Sequence, residues 1–269
     1  MTREIQPPSR SDPRTIVVMP TFDEAENVER VVAELLSLVP EVNVLIVDDN
    51  SPDGTGAVAD RMAAVDPRIH VLHRTGRAGL GQAYVAGFRH ALAAGYDTII
   101  EMDADGSHPA ESLPAMLRAL TAPDVALVIG SRWVRGGRVV DWPRHREFLS
   151  RAANLYSRIM LRMRVHDSTG GYRAYRASAL AGLELSAVNS RGYCFQIDLT
   201  LRILDTGHLI TEVPIVFTER AAGYSKMNGG IVMEAITKVT WWGITRLLRP
   251  RATPYDVRRT SPSADRRIP

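Results

Sequence analysis

Between Thr15 and Ile129 the chain alternates short β-branched runs with helical stretches, and this rhythm restricts the fold more than any other feature. The apolar runs are Thr15–Met19, Val42–Val47, Ile69–Leu72, Thr98–Met102 and Val125–Ile129. Helical patterns occupy Glu24–Leu38, Gly54–Val65, Gly81–Ala94 and Glu111–Ala119 between them. Strands joined through helices pair in parallel, so the expected fold class is α/β: one domain with a mostly parallel central sheet flanked by helices. Near-continuous apolar strands agree with a sheet covered on both faces.

After Gly130 the pattern changes to a helix over Arg146–Met163, a Gly-Gly-Tyr unit, a helix near Ile197–Leu204 and a strand over Glu212–Phe217. An amphipathic helix over Ile231–Leu248 follows. Both ends are polar and proline-rich. The expected division is therefore an unpacked tail at 1–13, a domain at 14–229, the amphipathic helix at 230–250 and an unpacked basic tail at 251–269. A hydrophobic content of 45% in 269 residues suits one sizeable core. The single cysteine, Cys194, has no partner for an internal disulfide, no secretory leader opens the chain, and no apolar run reaches the roughly 18 residues of a membrane span, which together lead us to expect a reducing compartment and no self-contained anchor. The net charge of +3 favours anionic partners only weakly.

In open parallel sheets ligands sit beyond the carboxyl ends of the strands, and here those ends are polar. Asp103-Ala104-Asp105 follows an apolar strand; two such carboxylates can hold a hard divalent cation against a diphosphate, whereas the same pair elsewhere would be a solvated turn. Asp48-Asp49 leads into a Ser-Pro-Asp-Gly turn, where a carboxylate can accept hydrogen bonds from a nucleoside or cap the next helix. Pro20-Thr-Phe22-Asp-Glu24 places an aromatic ring and carboxylates at the first strand end. Arg74-Thr-Gly-Arg77-Ala-Gly-Leu-Gly81 precedes a helix and can present amides and Arg77 to phosphate. Further anion sites can form from Arg132, Arg146 and Ser150, and from Arg220 with Lys226.

Taken in order, the segments VVMPTFDEAENV, LIVDDNSPDGT, GLGQAYVAGF, EMDADGSHP, VIGSRWVRGG, DSTGGYRAYR, GYCFQIDL and EVPIVFTERAAGYSKM resemble glycosyltransferase family 2, which has the GT-A (Rossmann-like) fold. Within that family the resemblance is to polyprenol (dolichol) phosphate mannose synthases, and it covers roughly Thr15 to Lys226. It implies that Pro20, Phe22, Glu24, Val47 and Asp49 contact the nucleoside of GDP-mannose, with Arg77 nearby. Asp103, Ala104 and Asp105 would frame the diphosphate, and the metal, Mg²⁺ or Mn²⁺, would be held by Asp103, Asp105 and Ser107. Ser107 stands where some members carry glutamine.

By the same resemblance Arg220 and Lys226 close over the donor phosphates, Arg132, Arg146 and Ser150 hold the lipid phosphate, and Tyr193, Phe195 and Gln196 border the sugar and acceptor. Asp105, Arg132, Arg220 and Lys226 form the implied catalytic set. An ionised phosphate nucleophile needs no strong base, so His108 and Asp167 are read as structural or positioning residues. The implied product is β-linked polyprenyl phosphate mannose, made by inversion at the cytoplasmic face of a membrane by a peripheral enzyme, with or without a membrane-protein partner. Trp241 and Trp242 beside arginines suit either an interfacial helix or one packed on the core. A related enzyme using UDP-glucose or another nucleotide sugar, and a catalytically silent nucleotide-binding subunit of a membrane glycosylation complex, are the alternatives. No stacking platform or recognition helix points to nucleic acid.

Overall fold

The computed structural model describes residues 13–188, 190, 193–219, 229–248 and 257–259. Its elements in chain order are β1 (Thr15–Thr21), α1 (Val28–Leu38), β2 (Asn43–Asp48), α2 (Thr55–Val65), β3 (Ile69–His73), α3 (Leu80–Ala93) and β4 (Thr98–Glu101). A 3-10 turn (Ala110–Ser112) then leads into α4 (Leu113–Leu120), β5 (Val125–Ser131), β6 (Arg138–Val140), α5 (Arg144–Leu161), β7 (Arg173–Arg176) and α6 (Ala177–Ala181). A second 3-10 turn (Leu185–Ala187) is followed by α7 (Tyr193–Asp205), β8 (Leu209–Pro214), β9 (Val216–Thr218), α8 (Gly229–Leu247) and β10 (Val257–Arg259).

The main sheet has the strand order β10-β8-β5-β7-β4-β1-β2-β3, with β6 and β9 forming a separate two-stranded parallel ribbon. Every pairing in the main sheet is parallel except those of β7, which runs antiparallel to both β4 and β5. Helices cover both faces. Along β1, Ile16 and Val18 join one apolar cluster with α3 and α7 residues, while Val17 and Met19 join the other with α1 and α4 residues. This two-residue alternation between two dry layers explains why the strands read as continuous apolar runs.

The chain passes from β1 outward through β2 to β3, then crosses back so that β4 lies on the other side of β1. The strand order therefore reverses between β1 and β4, and such a switch point opens a crevice at the strand carboxyl ends. Close approach of α3 permits the crossing: a Cβ at Gly87 would lie 2.3 Å from Val18 Cγ1.

Several expected boundaries shift for physical reasons. The helix expected from Glu24 begins at Val28, because Asp23 takes φ 58° and the Glu24 carbonyl receives the Asn27 and Val28 amides in a turn. The single strand expected over Glu212–Phe217 is two strands, since the chain leaves the main sheet after Pro214 to form β9 on β6. The tail expected to be unpacked contributes β10, whose Val257–Arg259 pair in parallel with Ile210–Glu212. Among the described residues no helix is long and apolar enough to cross a membrane.

Candidate active site

The β1 and β2 ends lie side by side, with Thr21 opposite Asp48 in the ladder. Asp48 staples the two loops: its Oδ1 accepts the Thr21 hydroxyl at 3.1 Å and the Ser51 hydroxyl at 2.6 Å, and its Oδ2 accepts the Ser51 amide at 3.2 Å. Asp53 adds a second staple by accepting the Ala25 amide at 3.0 Å and the Thr55 hydroxyl at 2.5 Å. Asp48 is thus consumed by the scaffold, and the neighbouring Asp49 is the carboxylate presented past the strand end.

Asp49 is 4% exposed and ion-paired with Arg74. Burial raises its pKa, although Arg74 and the Ala78 amide pull the other way. Of the two arginines in this loop it is Arg74, three positions before Arg77, that meets the carboxylate. Arg77 instead lies over the Phe22 ring, 4.3 Å from its centroid. Glu24 accepts the Asn27 side-chain amide at 3.0 Å. Pro20 and Val47 sit opposite each other inside the ladder and are buried, with Val47 fully so. Each stands one position before the end of its strand, beside the loops that carry Phe22 and Asp49.

The Asp103–His108 turn follows β4. The Asp103 amide donates to His108 Nδ1 at 2.9 Å, and Asp103 Oδ1 accepts the Tyr84 hydroxyl at 2.7 Å. Asp105 Oδ1 accepts the Ser107 amide at 3.0 Å across Gly106, which has φ 78°. Asp105 and Ser107 are 7% and 3% exposed, and Ala104 is buried between the two aspartates. Since Nδ1 of His108 accepts an amide proton, a neutral ring carries its proton on Nε2. Burial pushes its pKa down against the pull of Asp103 and Asp105.

The donor set offered by Asp103, Asp105 and Ser107 is all oxygen, which suits Mg²⁺ or Mn²⁺. Among the described residues no group of three or more His, Cys, Asp or Glu side chains could hold a metal. A cation here would need ligand oxygens to complete its shell, as a diphosphate provides.

Across the site, Arg132 at the end of β5 is 4% exposed and makes a bidentate pair with Asp167, at 2.7 Å from Nε and 2.6 Å from Nη2. Nη2 also donates to Thr169 at 3.0 Å, and Asn154 of α5 donates to the same hydroxyl at 3.0 Å. Arg146 pairs with Glu219 and stacks 4.0 Å from the Trp142 centroid. Ser150 lies one turn further along α5, so both residues share its inner face. The two halves of the site meet through aromatics: Phe217 is 5.5 Å from the His108 ring and 5.4 Å from the Arg132 guanidinium.

Phe195 and Gln196, expected to border the sugar and acceptor, are both buried at the start of α7. Phe195 is fully buried against Tyr84, with ring centroids 6.1 Å apart, and Gln196 donates to Glu101. Helical spacing turns this start of α7 inward. Tyr193 opens α7. Arg220 and Lys226 lie outside the described residues.

An α/β domain with carboxylates at a switch point facing an arginine cluster defines a class of nucleotide-dependent transferase. Residues 16–183 match the family described as "Glycosyl transferase family 2", and the chain belongs to that family. It is 53% identical over 244 residues to the "Polyprenol monophosphomannose synthase" of Mycolicibacterium smegmatis, covering 90% of this chain and 92% of the relative. It is also 53% identical to the "Undecaprenyl-phosphate mannosyltransferase" of Micrococcus luteus, covering 86% and 94%.

Among solved structures, a mannosyltransferase from Pyrobaculum calidifontis in complex with GDP-Man and Mn²⁺ superposes with a TM-score of 0.59 at 20% identity, over 91% of this chain and 66% of that one. The glucosyl-3-phosphoglycerate synthase of Mycobacterium tuberculosis, with Mn²⁺ and UDP-glucose, gives 0.62 at 20% identity, over 89% and 81%. At that identity the likeness shows the GT-A fold alone.

Proposed function

We propose that this chain transfers mannose from GDP-mannose to a polyprenyl phosphate, with inversion, giving a β-linked polyprenyl phosphate mannose. The carrying observation is the 53% identity, over about nine-tenths of the chain, to a relative named as a polyprenol monophosphomannose synthase. The site's chemistry supports it. A phosphate monoester is already ionised at neutral pH and attacks the anomeric carbon directly, while the bond to the donor diphosphate breaks and its electron pair leaves with GDP. No general base is required, which agrees with a His108 held by an amide.

Asp49, Phe22 and Arg74 would seat the nucleoside, and Arg77 and the Gly79–Gly81 turn would approach the phosphates. Asp103 and Asp105, with Ser107, would hold Mg²⁺ or Mn²⁺, which when bound supplies positive charge to the leaving diphosphate. Arg146 and Ser150 would receive the acceptor phosphate, with Glu219 giving up its partner to it, and Arg132 would add buried positive charge. Arg220 and Lys226 would complete the cationic lining. Incubating the protein with Mg²⁺ or Mn²⁺, a polyprenyl phosphate and labelled GDP-mannose or UDP-glucose, then extracting the lipid, tests the reading. Label from GDP-mannose alone is expected; label from UDP-glucose alone would change the donor, and none from either would overturn the function.

The acceptor's headgroup lies at a bilayer surface, and we propose that α5 and α8 together meet it. These helices pack on each other, with the Tyr156 and Thr240 hydroxyls 2.5 Å apart. Phe148, Leu155 and Ile159 form one exposed stripe of α5, while Met233, Ile236, Trp241, Ile244 and Leu247 are exposed on α8. Trp242 packs against the core, so one tryptophan serves each of the two roles weighed from sequence. Exposed Arg144 and Arg151 beside the stripe suit anionic lipid. Since burying one such side chain is worth about 1.5–3 kcal/mol, Phe148→Glu with Ile159→Glu should weaken binding to phosphatidylglycerol vesicles at least about tenfold. Unchanged co-sedimentation would remove α5 from the membrane face.

A further inference from the structure

Tyr84 is fully buried in α3, yet its hydroxyl ends 2.7 Å from Asp103 Oδ1 at the tip of β4. The ring is held from both sides: the Phe88 centroid is 5.8 Å away and Phe195 lies nearly parallel, 10° off, at 6.1 Å. The Phe195 ring reaches this position because residue 81 is glycine; a Cβ there would stand 2.8 Å from it. Helix α3 in turn comes close enough to β1 only because residue 87 lacks a side chain. Two glycines and two rings are thus spent on bringing one phenol to one carboxylate. Packing alone would be served as well by phenylalanine, which carries no polar atom into the core.

The phenol is the donor and the carboxylate the acceptor in this contact. Asp103 is then fixed at two points, its amide on His108 and its carboxylate on Tyr84. We propose that Tyr84 is a positioning residue for the divalent cation, its hydroxyl pinning the Asp103 carboxylate in the orientation that meets the ion. This rests on the reading of Asp103 and Asp105 as the metal carboxylates. Partners that orient a metal's ligands commonly change affinity by about 10–100-fold when removed, because the ligand must then be ordered at the expense of binding.

The test is Tyr84→Phe, which deletes one oxygen and keeps the ring. Mn²⁺ binding in the presence of GDP, followed by the paramagnetic resonance of free Mn²⁺, should weaken about 10-fold or more. The Mn²⁺ concentration for half-maximal transfer should rise in parallel, and saturating Mn²⁺ should restore most of kcat. In an Asp103→Asn background the same replacement should change Mn²⁺ affinity no further. Wild-type Mn²⁺ affinity in Tyr84→Phe, with wild-type protein binding Mn²⁺ normally, would overturn this role alone. Failure of the wild-type protein with GDP to bind Mn²⁺ would overturn the metal reading with it. Should Tyr84→Phe not fold, Phe195→Leu loosens the seat of the ring and should weaken Mn²⁺ binding in the same direction; unchanged affinity there would also overturn the role.

Discussion

Replacing Asp105 by alanine should lower transfer of labelled mannose to lipid by about a thousandfold or more while leaving the fold intact. The magnitude follows from charge: a cation at a leaving diphosphate is worth several kcal/mol in the transition state, and each 1.36 kcal/mol is about a factor of ten. The bond that Asp105 accepts from the Ser107 amide, in a short turn, is worth about 0.5–1.5 kcal/mol, well below the expected loss in transfer. Asp48 makes the contrast. It is also an aspartate at a strand end, but it holds Thr21 and Ser51 together, so its loss should appear in the melting temperature before it appears in kcat. Full turnover of Asp105→Ala at saturating metal would end the assignment of this turn to metal.

What was legible in the chain follows the same division between local pattern and distant partner. Strands β1, β2, β4 and β5 could be placed because both faces of the sheet are dry there, so each is a nearly continuous apolar run, whereas the edge strand β3 is half-buried and carries His70. Strand β7 could not. Arg173-Ala-Tyr-Arg176 reads as polar, and only the fold shows that the Arg173 guanidinium is buried where the Gly170, Ser168 and Gln196 carbonyls accept its protons.

The candidate site divides likewise. The Asp103–Asp105 pair announces itself by following an apolar strand. That Asp49 would choose Arg74 over Arg77 depends on how the turn after β3 is drawn back to β2, where the Arg74 amide donates to the Asp48 carbonyl. The resemblance implies that Phe195 borders the sugar and acceptor, whereas its ring packs against Tyr84 at the start of α7.

The second large effect concerns stability. Asp167 and Arg132 are both buried, and the carboxylate accepts the Arg132 amide as well as two guanidinium protons. Asp167→Ala leaves that guanidinium without its counter-charge, a situation that typically costs about 3–5 kcal/mol. For a chain of this size the melting midpoint should fall by roughly 10 °C. Burial by itself would raise the Asp167 pKa, but Arg132 and its hydrogen bonds outweigh it and the net shift is downward.

A carboxyl whose pKa is lower in the folded state stabilises the protein above its unfolded value, about 3.9, and that contribution disappears as pH falls through the folded value. The wild-type midpoint should thus decline in acid below that range, and Asp167→Ala should flatten the decline. A variant that melts like wild type would show that the pair does not hold this corner. The paired exchange Arg132→Met with Asp167→Leu separates the two roles of the arginine. Removing both charges together avoids the uncompensated ion and should recover much of the lost stability. Transfer should stay low if Arg132 also lends its charge to the acceptor phosphate, and should return with stability if its only task is to pair with Asp167.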